Sequence, residues 1–238
     1  MVDAPWKKET EISPKAQVLR SLGKLVRGLS TLFWSMPLML VAYVQTAKTD
    51  WLESFHAFAF VPAVIVSIAI WWSLTQLRYF QPQERIWRQA VDRAEIFAII
   101  NIGLSPFLYW WREMPFVPLY FACVSLLALS CVLLIIQLNR VLERLAAMLP
   151  DETLRGETKL FARFNHWLLL GLLAAVAIYF GLQQIYTLPG WMDSALDFLT
   201  EHGTWIVLFV ILIPLAMTMA LVWKTKELIF ASVFNAER

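Results

Sequence analysis

MPFVPLYFACVSLLALSCVLLIIQL, running from Met114 to Leu138, contains 25 residues and no charged side chain. As a helix rising about 1.5 Å per residue it would extend about 37 Å, more than the roughly 30 Å of hydrocarbon in a bilayer. The segment therefore predicts a membrane-spanning helix. Five more uncharged runs surround it: Leu29 to Ala47, Ala57 to Leu77, Ile96 to Trp111, His166 to Tyr186 and Gly203 to Trp223. Together they predict an all-α, polytopic integral membrane protein of six transmembrane helices, arranged as three sequential hairpins.

Composition agrees with this class and excludes others. Of 238 residues, 59% are hydrophobic and only 16% charged, and the mean hydropathy is +0.61. These values lie outside the range of soluble globular and disordered chains. A net charge of +2 is too small for a nucleic-acid binder, which needs a strong basic excess on one face. Cys123 and Cys131 stand eight residues apart in one apolar run, about 12 Å along a helix. That is too far for a disulfide, and both read as packing residues.

The distribution of charge predicts orientation. Residues 1–28 carry six Lys or Arg, the segment from Arg78 to Arg93 four, that from Arg140 to Arg163 five, and the tail from Lys224 three. The alternate connections hold only Lys48 and Arg112. Basic residues near span ends are retained on the cytoplasmic side, so both termini are expected there. Residues 1–28 contain no apolar stretch with a small-residue cleavage site, and the first span is expected to act as an uncleaved anchor. The division is then a basic N-terminal segment (1–28), a six-helix domain (29–223) and a C-terminal tail (224–238). The absence of a large extramembrane domain fits a bacterial cytoplasmic membrane. Tryptophans 51, 110, 111, 191 and 205 at one side, and 71, 72, 87, 167 and 223 at the other, match interfacial belts.

Each basic segment also carries an amphipathic pattern. Val18, Leu19, Leu22, Leu25, Val26 and Leu29 recur at helical spacing beside Lys15, Arg20, Lys24 and Arg27. Ile86, Trp87, Ala90, Val91 and Ala94 repeat the pattern, as do Leu138, Val141, Leu142, Leu145 and Leu149. Short cytoplasmic helices lying against anionic headgroups are expected, with the bilayer as the first partner.

Candidate chemistry is sparse. The third run has only 16 residues and contains Asn101, Gly103, Ser105 and Pro106. Interrupted spans of this kind can expose backbone and polar groups to a substrate, so Asn101 and Ser105 are the candidate substrate-binding residues. Small residues spaced by four, namely Ala59, Ala63 and Ser67, then Gly171 with Ala175 and Ala177 with Gly181, are candidate helix-packing positions. Trp51-Leu52-Glu53-Ser54 and Trp191-Met192-Asp193-Ser194 echo each other in the predicted outer loops. Asp193, Asp197 and Glu201, four apart, predict a small acidic outer helix.

Other chemistries lack their residues. Three hairpins resemble the mitochondrial carriers in outline, but Pro37 and Pro106 are followed by apolar or aromatic residues where that family places its Pro-x-acid-x-x-base signature. Gly103-Leu104-Ser105-Pro106 lacks the second glycine of an intramembrane serine protease motif, and no later span supplies a histidine at depth as base. Three histidines, His56, His166 and His202, form no ligand spacing for metal or haem. No nucleotide-binding glycine motif is present, so no cofactor is expected. The functional expectation is a non-catalytic integral subunit or scaffold of a membrane assembly, joined to other subunits or to itself, with no nucleic acid. The alternative is a small-molecule transporter or channel at the third span, and a lipid-modifying enzyme ranks behind both.

Overall fold

Long apolar runs with helix-compatible ends dictate the elements. The computed structural model describes residues 14–48, 58–81, 83–149, 151–182 and 190–235, and among them every element is helical. These are α1 (Pro14–Lys48), α2 (Val61–Arg78), α3 (Arg85–Leu104), α4 (Phe107–Glu113), α5 (Pro118–Met148), α6 (Glu152–Leu182) and α7 (Gly190–Asn235). Pro62 and Pro118 occupy the first turns of α2 and α5, where a fixed φ suits a helix and no amide donor is missed. With α3 and α4 taken together, six helices are long and apolar enough to cross a membrane.

The third of these runs from Arg85 to Glu113, 29 residues, so the shortfall of the uncharged run disappears. Its helix begins a full three turns before the first uncharged residue. The same holds elsewhere: the amphipathic segments predicted to be separate interfacial helices are the continuous ends of α1, α3 and α5. The boundaries at 28/29 and 223/224 likewise fall inside α1 and α7, and the acidic 193–201 segment is the first part of α7. Trp51 to Ser54 and His56 lie outside the described residues.

Neighbouring helices are antiparallel, as individual contacts show. Tyr43 near the end of α1 bonds Ser67 in the first half of α2, Arg78 at the end of α2 meets Asp92 in α3, and Ser130 of α5 donates to the Phe97 carbonyl of α3. Asn165 of α6 reaches Pro214 in α7, and the rings of Phe33 in α1 and Trp223 in α7 stand 5.5 Å apart. The helices thus form a ring, α1–α2–α3–α5–α6–α7, that closes on α1, while α5 also touches α4 and α7. Helices α5 and α6 are in fuller contact than α6 and α7. The contacts therefore do not set off three outward pairs from the rest.

One end of the ring collects the basic segments 78–93 and 140–163, and the core lies toward that end. The apolar faces of the amphipathic runs are buried there: Leu25, Leu29, Trp87, Val91, Leu138, Leu142 and Leu145 belong to one cluster with Leu74, Leu77 and Val222. Burying these stripes against each other removes them from water or headgroups, worth about 1.5–3 kcal/mol for each large side chain. Ile86, from the same pattern, stays 52% exposed. Trp87 differs from the belt expectation: it is fully buried and packs edge-on against Phe80 at 6.1 Å.

Two turns at this end are built differently. Between α2 and α3 the backbone reverses through Gln81 at φ 42°, a left-handed conformation that side chains with a Cβ seldom adopt. Between α5 and α6, Asp151 caps the next helix, accepting from the Thr153 hydroxyl at 2.6 Å, the Thr153 amide at 2.9 Å and the Leu154 amide at 3.2 Å. The Thr153 hydroxyl, aided by the two amides, holds the Asp151 carboxyl below its ordinary range.

Candidate functional site

Asn101 and Ser105 lie one turn apart, both buried, where α3 passes into α4. The interruption is a kink with helical dihedrals: Ser105 has φ −59°, ψ −33° and Pro106 φ −62°, ψ −28°. Pro106 has no amide to give the carbonyl four residues before it, that of Ile102. Ser105 supplies the replacement, its hydroxyl donating to the Ile102 oxygen at 3.1 Å. The backbone bond from the Ser105 amide to Asn101 persists at 2.9 Å. Ser105 thus repairs the helix at its proline, and Gly103, which faces open space, adds no close approach.

Asn101 is the anomaly of this region. It is 1% exposed, and neither its Oδ1 nor its Nδ2 has a partner among the described residues. A buried amide of this kind costs on the order of 1–3 kcal/mol when nothing meets it. A buried polar group without a partner calls for an explanation, and a functional role is one of them.

The small-residue positions divide sharply. Ala59, Ala63 and Ser67 are buried. Ser67 donates to the Ala63 carbonyl at 2.7 Å, so the Tyr43 hydroxyl, also 2.7 Å away, donates to Ser67. That stripe joins α2 to α1. By contrast Gly171, Ala175, Ala177 and Gly181 on α6 are exposed, and a Cβ built on Gly171 or Gly181 would meet nothing within 4 Å. Only 11% of the most apolar stretch of α6 is covered by the rest of the chain.

The basic end holds polar groups of which the sequence pattern singles out only Glu95, as an interfacial acid for the lipid-modifying alternative. Arg78 approaches Asp92 at 3.5 Å and Glu95 at 3.6 Å, and Glu95 is buried with its Oε1 unpaired. Asn139 of α5, Asn165 of α6 and Thr218 of α7 form a buried junction. Asn165 Nδ2 donates to the Pro214 carbonyl at 3.3 Å and approaches the Thr218 hydroxyl at 3.4 Å. That hydroxyl stands 2.7 Å from the Pro214 carbonyl and 3.2 Å from Asn139 Oδ1, and its single proton serves one at a time. Asn139 Nδ2 and Asn165 Oδ1 are left without partners. The signal in the sequence is weak: Asn139 sits inside an amphipathic run, Asn165 one residue before an uncharged run, and Thr218 in the last third of another.

Among the described residues no three His, Cys, Asp or Glu side chains are grouped as a metal site. Compared with protein-family models, with curated proteins and with solved structures, the chain matches none.

Proposed function

We propose that this chain is a non-catalytic integral subunit or scaffold of a larger membrane assembly. In this reading the six helices lie in a bacterial cytoplasmic membrane as three sequential hairpins, with both termini and the basic end in the cytoplasm against anionic headgroups. The observation that supports it most directly is the exposed face of α6. Gly171 with Ala175, and Ala177 with Gly181 on a neighbouring face, present exposed small residues with open space over both glycines, and such surfaces let a second helix approach closely. The equivalent stripe on α2 is already occupied by α1.

The test is extraction from native membrane in mild detergent, followed by native mass determination and identification of stoichiometric partners. Defined partners that are lost in a Gly171→Leu, Gly181→Leu variant of unchanged fold support the subunit reading. A chain that elutes alone or only with copies of itself overturns it.

The buried, unpaired amide of Asn101 favours one second reading, a small-molecule transporter or channel that uses Asn101 and Ser105. An Asn101→Leu variant that inserts and folds but loses substrate flux would support it. Unchanged flux would remove it.

A further inference from the structure

The two helices that leave and re-enter the basic end around the Asp151 turn enclose a cleft of about 200 Å³. From α5 it is lined by Asn139, Arg140 and Glu143, and from α6 by Lys159, Arg163 and His166. Spacing explains the convergence. Asn139, Arg140 and Glu143 lie within four residues on one helix, and Lys159, Arg163 and His166 recur at four and three on the other, so each set shares a helical face. Three fixed cations therefore face a single carboxylate.

Neither Lys159 nor Arg163 forms an ion pair among the described residues, although Lys224 and Glu157 are paired nearby. Arg140 makes only a long contact, 3.5 Å, donating to the side-chain Oε1 of Gln137. Asn139 is 2% exposed and carries an Nδ2 donor without a partner. A second cleft of about 370 Å³ on the other side of α5 shares Arg140 and Glu143 and adds Arg93 and Arg144. Unpaired cations with an unused buried amide donor describe a receptor for an anion with several acceptor oxygens.

We infer that the α5–α6 cleft binds the phosphate of an anionic phospholipid headgroup. The lipid source is favoured by the surroundings on α6, where Leu160, Phe164 and Trp167 are 64%, 51% and 69% exposed beside the cationic residues. Apolar surface at the level of the phosphate ligands is what acyl chains require. The inference rests on the proposed placement of this end at the headgroup layer, and it assigns to that rim one built site in place of a diffuse attraction.

The full-length protein in detergent micelles is supplied with phosphatidylglycerol or with phosphatidylcholine at equal concentration, and retained lipid is counted by native mass spectrometry. Wild type is expected to hold phosphatidylglycerol in preference. The Lys159→Gln, Arg163→Gln variant is expected to weaken that retention about 25-fold, at roughly fivefold per cation. The Lys159→Arg, Arg163→Lys variant keeps the charge and is expected to retain the lipid, which guards against misreading a folding defect. Arg85→Gln with Arg88→Gln, cations outside both clefts, is expected to behave as wild type. Equal retention in the cleft and control variants overturns the site. If inorganic phosphate raises the melting temperature of lipid-free wild type, but not of the cleft variant, and lipid preference is absent, the headgroup is overturned as occupant in favour of a soluble phosphate. Flotation with phosphatidylcholine vesicles separates this test from the membrane reading beneath it: failure to float defeats that reading, whereas floating with equal retention defeats only the cleft.

Discussion

Gly28 in α1 lies so close to α2 that a Cβ added there would stand 2.9 Å from the Ser73 carbonyl oxygen and would also collide with the Leu77 side chain. Backbone cannot yield as a side chain tip can, so the space exists only for hydrogen. Gly28→Ala is expected to destabilise the α1–α2 contact by about 1–3 kcal/mol through overpacking. Gly23, one and a half turns earlier and open to at least 4 Å, is the control: Gly23→Ala is expected to stabilise by about 0.5–1 kcal/mol through helix propensity. Thermal unfolding in detergent distinguishes them, and equal shifts would refute the close approach.

At the kink, removing the Ser105 hydroxyl leaves the Ile102 carbonyl without a donor. Ser105→Ala is expected to cost about 1–3 kcal/mol. Pro106→Ala restores the amide that Ile102 lacks, so Ser105→Ala should cost far less in that background. A double-mutant cycle with additive effects would show that the two residues act independently.

Arg78 serves two acids of α3. Replacing it with Gln leaves Glu95 buried without its cation, a change that costs about 3–5 kcal/mol for a fully buried pair. Arg78 is itself about half exposed, so water takes over part of its role and about 1–2 kcal/mol is expected. Adding Glu95→Gln to Arg78→Gln should recover most of the loss in urea or thermal unfolding.

Asp151 gives the α5–α6 turn a pH dependence. Its carboxyl is held below the ordinary aspartate range in the folded chain. Its stabilising effect is therefore complete above that ordinary range and fades as pH falls through the lower folded value. Hydrogen exchange at the Thr153 and Leu154 amides should accelerate correspondingly beyond the intrinsic pH dependence. Asp151→Ala should exchange faster at neutral pH and lose the extra dependence; an identical profile would show that the cap does not hold these amides.

Five of the six long helices were legible because their uncharged runs, of 19 to 25 residues, are long enough to cross a bilayer, whereas the third run, of 16, reaches that length only with the charged residues before it. Their ends were not. Charge was read as the border of a span, yet helix α3 extends from Arg85 through Arg88, Asp92 and Arg93 because Trp87, Val91 and Ala94 give it an apolar face to bury. Trp87 fits an interface by the same local pattern: a tryptophan near basic residues looks like an anchor until its partner, Phe80, is known. At the candidate site, Ser105 and Pro106 were recognisable as a break, but their repair of each other follows only from the bond to Ile102. Asn139, Asn165 and Thr218 come from three helices and stand 26 to 79 residues apart along the chain, a convergence that no local pattern encodes.

Because the ring closes between α1 and α7, α1 is completed by a helix that lies far from it along the chain. Leu29, Leu32 and Met36 share their cluster with Leu221, Val222 and Ile229, so throughout synthesis the flank of α1 that α7 will cover has only lipid or a helper protein against it. A chain cut between Leu182 and Gly190 would keep the five earlier candidate spans yet leave that flank uncovered. Quality control that senses this flank would therefore read the arrival of α7 as the signal that the ring has closed.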